Sequence, residues 1–268
     1  MSTLNAKGTA LITGASSGIG ATYADRFAKR GYDLLLVARD LDRLESLATR
    51  LHNETGVKVE VLKADLTDTA DLLKVEQRLR GDASISLLLN NAGVAFAGTL
   101  AEADLQGVDR MIQLNVVALT HLASAAAQGF SRVGRGAIIN VGSVVALMPE
   151  RFNAGYAATK AYVLSLTQSL NAEISPLGVQ VQAVLPGATR TEIWERSGVD
   201  VNEFPPEMVM EVGEMVDAAL AGFDQGEWVT IPSLADAADW EAAMAARGAL
   251  GPGLSLSSAA ARYEAPVA

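Results

Sequence analysis

The chain has no cysteine among its 268 residues, which excludes disulfides, thiolate catalysis and zinc–sulfur sites. It is also short of positive charge: 21 basic residues stand against 31 acidic ones, for a formal net charge of −10. A general nucleic-acid binder needs a basic face to neutralise phosphates, so that class is excluded, although a local basic pocket for one phosphorylated ligand is not. No run of about 18 apolar residues is present to cross a bilayer. The opening "MSTLNAKGTALITG" lacks the basic region, longer apolar region and cleavage signal of a secretory peptide. His121 has no neighbouring ligand set, so no metal is expected. These absences predict a cytoplasmic protein with neither nucleic-acid nor membrane partners.

Half of the residues are hydrophobic and 19% are charged, ample for a packed core. Short apolar runs alternate with longer amphipathic ones. Strands are predicted at 9–13, 32–38, 57–65, 85–90, 136–143, 179–186 and 227–232. Helices are predicted at 18–31, 40–53, 68–81, 104–130, 154–174, 206–222 and 234–247. Strands alternating with helices imply a parallel sheet covered on both faces. Right-handed crossovers then give a doubly wound, Rossmann-like three-layer α/β/α sandwich of about seven strands. No linker or repeat divides it, so residues 1–247 are expected to form a single domain, with 248–268 as a mobile or surface-draped tail rich in small residues.

The chemistry concentrates at strand ends. "TGASSGIG", residues 13–20, lies between the first strand and first helix. Gly14, Gly18 and Gly20 let the backbone approach a pyrophosphate whose charge sits on the helix N-terminus, and Ser16 and Ser17 add hydroxyl donors. The second strand ends "VARD". Ala38 stands where an NAD site places a carboxylate, and Arg39 follows it. A guanidinium suits the additional phosphate of NADP(H), so NADP(H) is the expected cofactor, with Asp40 capping the next helix. Asp65 either accepts from an adenine amino group or caps a helix. "NNAG", 90–93, suits a turn where backbone passes close to a ligand.

"TGASSGIG", "NNAG", Asn115 in "QLNVVA", Ser143 in "NVGSVVA", "YAATK" and "PGATRT" occur together, in the order of the short-chain dehydrogenase/reductase family, which this chain resembles over about residues 5 to 232. Ser143 and Tyr156 are 13 positions apart (156 − 143), which fits the family spacing. The resemblance implies that Tyr156 is the general acid, that Ser143 orients the carbonyl oxygen, and that Lys160 holds the nicotinamide ribose and lowers the tyrosine pKa. It implies that Asn115 holds a water linking Lys160 to solvent. It also implies cofactor contacts at Ile19 in the glycine turn, at Asp65–Leu66, at Asn91, Ala92 and Gly93, and at Pro186, Gly187 and Thr191. The activity implied is NADPH-dependent reduction of a ketone or aldehyde, reversible as an alcohol dehydrogenase. A non-catalytic NADP-binding redox sensor would be marked by loss of the tyrosine or the lysine, and both are present. A nucleotide-sugar epimerase on the same fold is usually longer, with a differently spaced glycine motif.

Elementary electrostatics fits these roles. Tyr156 and Lys160, four residues apart, share a helix face. Bringing a tyrosine from about 10 to near 7 takes roughly 4 kcal/mol. A cation about 5 Å away at an effective dielectric near 20 supplies roughly 3 kcal/mol. Substrate-lining candidates are Val94, Phe96, Val145, Met148, Phe152 and Trp194. The set is mostly apolar and predicts an uncharged small-molecule carbonyl compound with hydrophobic bulk. Arg151 and Arg190 are the residues that would instead meet a carboxylate. Segment 190–206 reads as a lid. The family's usual dimer interface would use the helices around 104–130 and 154–174. The ending departs from the family's tetramer pattern, so a homodimer is expected.

Overall fold

The computed structural model describes residues 7–96, 98–198 and 200–263, with backbone alone at Arg196. The predicted domain and tail therefore extend, at residues 1–6 and 264–268, outside the described residues. The chain separates into two compact units, dividing between Pro232 and Ser233.

The first unit opens with β1 (Thr9–Thr13), α1 (Gly18–Lys29), β2 (Asp33–Ala38), α2 (Leu41–Thr55), β3 (Val59–Lys63), α3 (Thr69–Gly81) and β4 (Ile85–Asn90). It continues through α4 (Leu105–Ile112), a π-helical stretch Gln113–Ala118, α5 (Leu119–Val133), β5 (Gly136–Val141), α6 (Ala154–Ile174) and β6 (Val179–Val184). It ends with β7 (Ala188–Arg190), α7 (Ile193–Ser197), β8 (Val209–Glu211), α8 (Val212–Asp224) and β9 (Val229–Thr230). The second unit holds α9 (Ala237–Gly248) and short 3-10 turns at Gly251–Gly253 and Ala261–Tyr263.

The main sheet has seven parallel strands in the order β3-β2-β1-β4-β5-β6-β9. The chain winds outward one way through β1, β2 and β3, then reverses at β4. The crevice between the carboxyl ends of β1 and β4 is therefore the switch point where open α/β sheets bind ligands. Strand alternation sends Leu11, Leu35 and Val37 into one core with Val75, Leu122 and Leu170. Ala10, Ile12, Leu34 and Leu36 point into the other, with Tyr23, Leu44 and Val216. Burial on both faces explains why these strands read as continuous apolar runs.

Short polar residues cap several of the helices. Asp40, as expected, accepts from Arg43 N at 3.1 Å to start α2. Asp68, rather than Asp65, starts α3 by accepting from Asp71 N at 3.0 Å.

Three element readings are corrected. The helix expected at 104–130 is not uniform: its turns widen over Gln113–Ala118. The helix expected at 206–222 begins only at Val212, because Val209–Glu211 pairs in parallel with Ala188–Arg190 as a separate two-stranded sheet. The last strand shrinks to Val229–Thr230 at the sheet edge, where one neighbouring strand supplies pairing.

Candidate active site

The glycine turn is built by close approach. A Cβ on Gly20 would lie 2.3 Å from Gly14 O and 2.6 Å from Asn91 Nδ2, so only glycine fits. Asn91 donates from Nδ2 to Thr13 O at 2.9 Å and to Gly14 O at 3.2 Å. Thr13 Oγ1 accepts from Asn91 N at 3.0 Å and Ala92 N at 3.1 Å, and donates to Leu89 O at 3.2 Å. The carboxyl ends of β1 and β4 are thereby laced together. The Asn91 side chain serves this lacing, holding the turn of Ser16 and Ser17 that leads into α1 at Gly18. Ile19 packs against the core. Gly18 lies against Thr191, whose methyl would be 3.3 Å from an added Cβ. The "PGATRT" segment thus meets the glycine turn, with Pro186 and Gly187 at the carboxyl end of β6.

Arg39 follows β2 and is well exposed, with Nη1 3.9 Å from Asp65 Oδ2. Asp65 is otherwise engaged by Thr67, accepting from its N at 3.0 Å and Oγ1 at 2.7 Å. Leu66 is buried in the core, so any contact it makes with a ligand runs through its backbone. This donor set fits a dinucleotide: helix N–H groups for a pyrophosphate and an exposed guanidinium for a further phosphate, with an ammonium, that of Lys160, beside Gly93 after β4.

The catalytic candidates converge. Ser143 follows β5; its Oγ donates to Pro186 O at 3.4 Å and accepts from Val145 N at 3.3 Å. The Ser143 hydroxyl is close enough to the Tyr156 phenol to lower its pKa. Tyr156 lies in the first turn of α6. Asn153 caps that helix, its Oδ1 accepting from Tyr156 N at 3.0 Å. One turn on, Lys160 is buried, with Nζ 5.7 Å from the Tyr156 ring centroid and donating to Val141 O at 2.9 Å. Gly93 brings backbone close: a Cβ there would be 3.2 Å from Asn115 Oδ1 and 3.8 Å from Lys160 Nζ.

Asn115 lies in the π-helical stretch. Its Oδ1 accepts from Val94 N at 3.0 Å, and its Nδ2 donates to Val94 O at 2.9 Å and Thr159 Oγ1 at 3.2 Å. Its side chain is thus spent on protein partners. Thr159 closes the circuit by donating to Tyr156 O at 2.8 Å.

Electrostatics corrects one expectation. Burial pushes Tyr156 up to about 12, with the Ser143 hydroxyl opposing it, and burial brings Lys160 down to about 8. The protein's own groups therefore do not pull the tyrosine toward neutrality. Desolvation of the phenolate outweighs the Ser143 hydroxyl, and burial also destabilises the charge of Lys160.

Around this core, Val145 is buried while Met148 and Phe152 are exposed. Trp194 donates from Nε1 to Thr189 O at 2.7 Å and packs on Phe204 at 5.1 Å between centroids. It lines a cleft of about 690 Å³ with Arg190, Thr191, Val201 and Asn202. Arg190 is paired with Glu211 at 2.8 Å and Asn202 at 3.2 Å, which weakens its reading as a carboxylate receptor. Among the described residues no cluster of His, Cys, Asp and Glu could hold a metal, and no helix is long and apolar enough to cross a membrane. Sequence reasoning missed Asn153, Thr13 and Thr159. Only Asn153 left a signal, as an asparagine just before a helix.

A parallel doubly wound sheet with serine, tyrosine and lysine gathered at its carboxyl edge defines a nucleotide-dependent oxidoreductase. The family model for short chain dehydrogenase matches residues 8–202, and the chain belongs to the short-chain dehydrogenase/reductase family. It is 30% identical over 269 residues to the NADPH-dependent 1-acyldihydroxyacetone phosphate reductase of Schizosaccharomyces pombe, covering 90% of this chain and 88% of that one. Among solved structures it resembles a short-chain dehydrogenase from Sphingobium yanoikuyae in complex with NADPH (58% identity, TM-score 0.93, 96% of this chain and 100% of that one). It also resembles the bulky-bulky ketone specific alcohol dehydrogenase from Comamonas testosteroni (50% identity, TM-score 0.88, 96% and 98%).

Proposed function

We propose that this oxidoreductase uses NADP(H) to reduce ketones carrying bulky apolar groups on both sides of the carbonyl, and to oxidise the matching secondary alcohols. The observation that carries the reading is the gathering of Ser143, Tyr156 and Lys160 at the end of β5: Lys160 Nζ lies 5.7 Å from the Tyr156 ring centroid and donates to Val141 O, two residues before Ser143. The glycine turn and α1 would hold the pyrophosphate, Arg39 the additional phosphate, and Lys160 the nicotinamide ribose. Bound NADPH supplies the hydride. Ser143 Oγ would orient the carbonyl oxygen, and Tyr156 Oη would give up its proton as charge develops there. A phenol held protonated by burial is suited to that direction.

Substrate breadth rests on the open cleft beside Trp194, the exposed Met148 and Phe152, and the similarity to a bulky-bulky ketone specific enzyme. The same reading makes the protein a homodimer through α5 and α6, which expose Val133 and Tyr162; light scattering tests that part. The main test is a ketone panel followed by NADPH absorbance, repeated with NADH. Consumption of NADPH with diaryl or long dialkyl ketones is expected. No turnover of any ketone, or no preference for NADPH, overturns the proposal.

A further inference from the structure

Val94, Ala95, Phe96 and Gly98 lie between the end of β4 and the first turn of α6. One end is fixed at Val94, whose N and O are both bound by the Asn115 side chain. The other end is fixed at Gly98, whose carbonyl accepts from Asn153 Nδ2. Gly98 has φ +94°, a backbone setting that favours glycine. Between the two anchors lies Phe96. Its Cζ would be 3.4 Å, and Met111 Cε 3.2 Å, from a Cβ on Gly155, so Phe96 lies over the turn that presents Tyr156.

We propose that Asn153 is a positioning residue that ties the stretch carrying Val94, Phe96 and Gly98 to the catalytic helix and so sets which ketones reach Tyr156. The inference rests on the function proposed above. Its chemical core is that one amide does two jobs. Oδ1 caps α6 by accepting from Tyr156 N at 3.0 Å, while Nδ2 holds the Gly98 carbonyl. Capping alone needs only an acceptor, which aspartate supplies equally well. The tether needs the donor, which aspartate lacks. Phe96 and Tyr156 are thereby held in one register, and a bulky substrate meets a ring of fixed position rather than a loose one.

Asn153→Asp separates the two jobs. It keeps the cap and turns a carboxylate oxygen toward the Gly98 carbonyl. The melting temperature and NADPH affinity should stay at wild-type values. Amide hydrogen exchange should speed up at Val94–Phe96 and Gly98 but not along α6. The kcat/KM for a ketone bulky on both sides should fall about tenfold relative to a small ketone, mostly through KM, the scale of one lost hydrogen bond. Asn153→Ala, lacking cap and tether, should add a loss of stability, and Asn153→Asp should rescue only that loss. Unchanged exchange in Asn153→Asp, or an unchanged preference between the two ketones, overturns the inference. If the wild-type protein turns over no ketone, the proposed function has failed, and the exchange result alone decides the tether.

Discussion

Lys160 Nζ sits 5.7 Å from the Tyr156 ring centroid, yet it donates to the Val141 carbonyl at 2.9 Å. The ammonium is thus fixed by β5, the strand that also delivers Ser143, while its helix delivers the phenol. One side chain joins the two elements that carry Ser143 and Tyr156.

This burial has a pH signature. Lys160 is brought down from 10.5 to about 8 in the folded protein. Between those values the unfolded chain binds a proton that the folded chain has released, so this group makes stability rise with pH across that window and opposes folding below it. Lys160→Met removes the penalty. Its stability relative to wild type should be more favourable at neutral pH than at pH 10.5 by on the order of 3 kcal/mol. Tyr156 acts in the opposite sense: raised from 10 to about 12, it makes stability fall between those pH values. Urea unfolding across the alkaline range reads both, and a wild-type-to-variant difference flat with pH would count against a depressed lysine.

Tyr156→Phe keeps the ring and removes the proton donor. NADPH should bind with little change, by fluorescence titration, while ketone reduction falls by about 10²- to 10⁴-fold. Wild-type-like turnover would sink the assignment of the general acid.

Arg39 is exposed and only loosely paired with Asp65 at 3.9 Å, so its removal disturbs little of the fold. Arg39→Ala should weaken NADPH by about 10- to 100-fold, the range for hydrogen bonds to a charged group, and leave NADH nearly unaffected. Equal weakening of both would show that Arg39 does not read the additional phosphate.

Gly20→Ala forces a methyl to within 2.3 Å of the Gly14 carbonyl. Backbone atoms cannot rotate aside, so the turn must open and the Asn91 lacing must break. A stability loss of about 2–4 kcal/mol is expected, with NADPH binding lost. A well-folded variant with normal cofactor affinity would contradict the close-packed turn.

Much of the molecule is written locally. The alternation of apolar runs and amphipathic stretches dictates a parallel sheet covered on both faces, because each segment carries its own period. The glycine turn, the Asp40 cap and the tyrosine–lysine spacing also follow from short-range steric and helical geometry. By the sequence itself, then, the fold class, the family and the four catalytic candidates were determined.

Other features depend on partners far along the chain, and only the tertiary structure decided them. The widening of the helix at Asn115 comes with bonds to Val94, 21 positions away, and to Thr159, 44 away. Asn91 laces β1 to β4 across 78 positions, and the Val209–Glu211 strand forms only because Ala188–Arg190 lies beside it. Sequence reasoning from charge alone set Lys160 beside Tyr156 and lowered the tyrosine. The folded protein surrounds both groups with low-dielectric packing, and the cost of desolvation, which no local pattern encodes, reverses the sign.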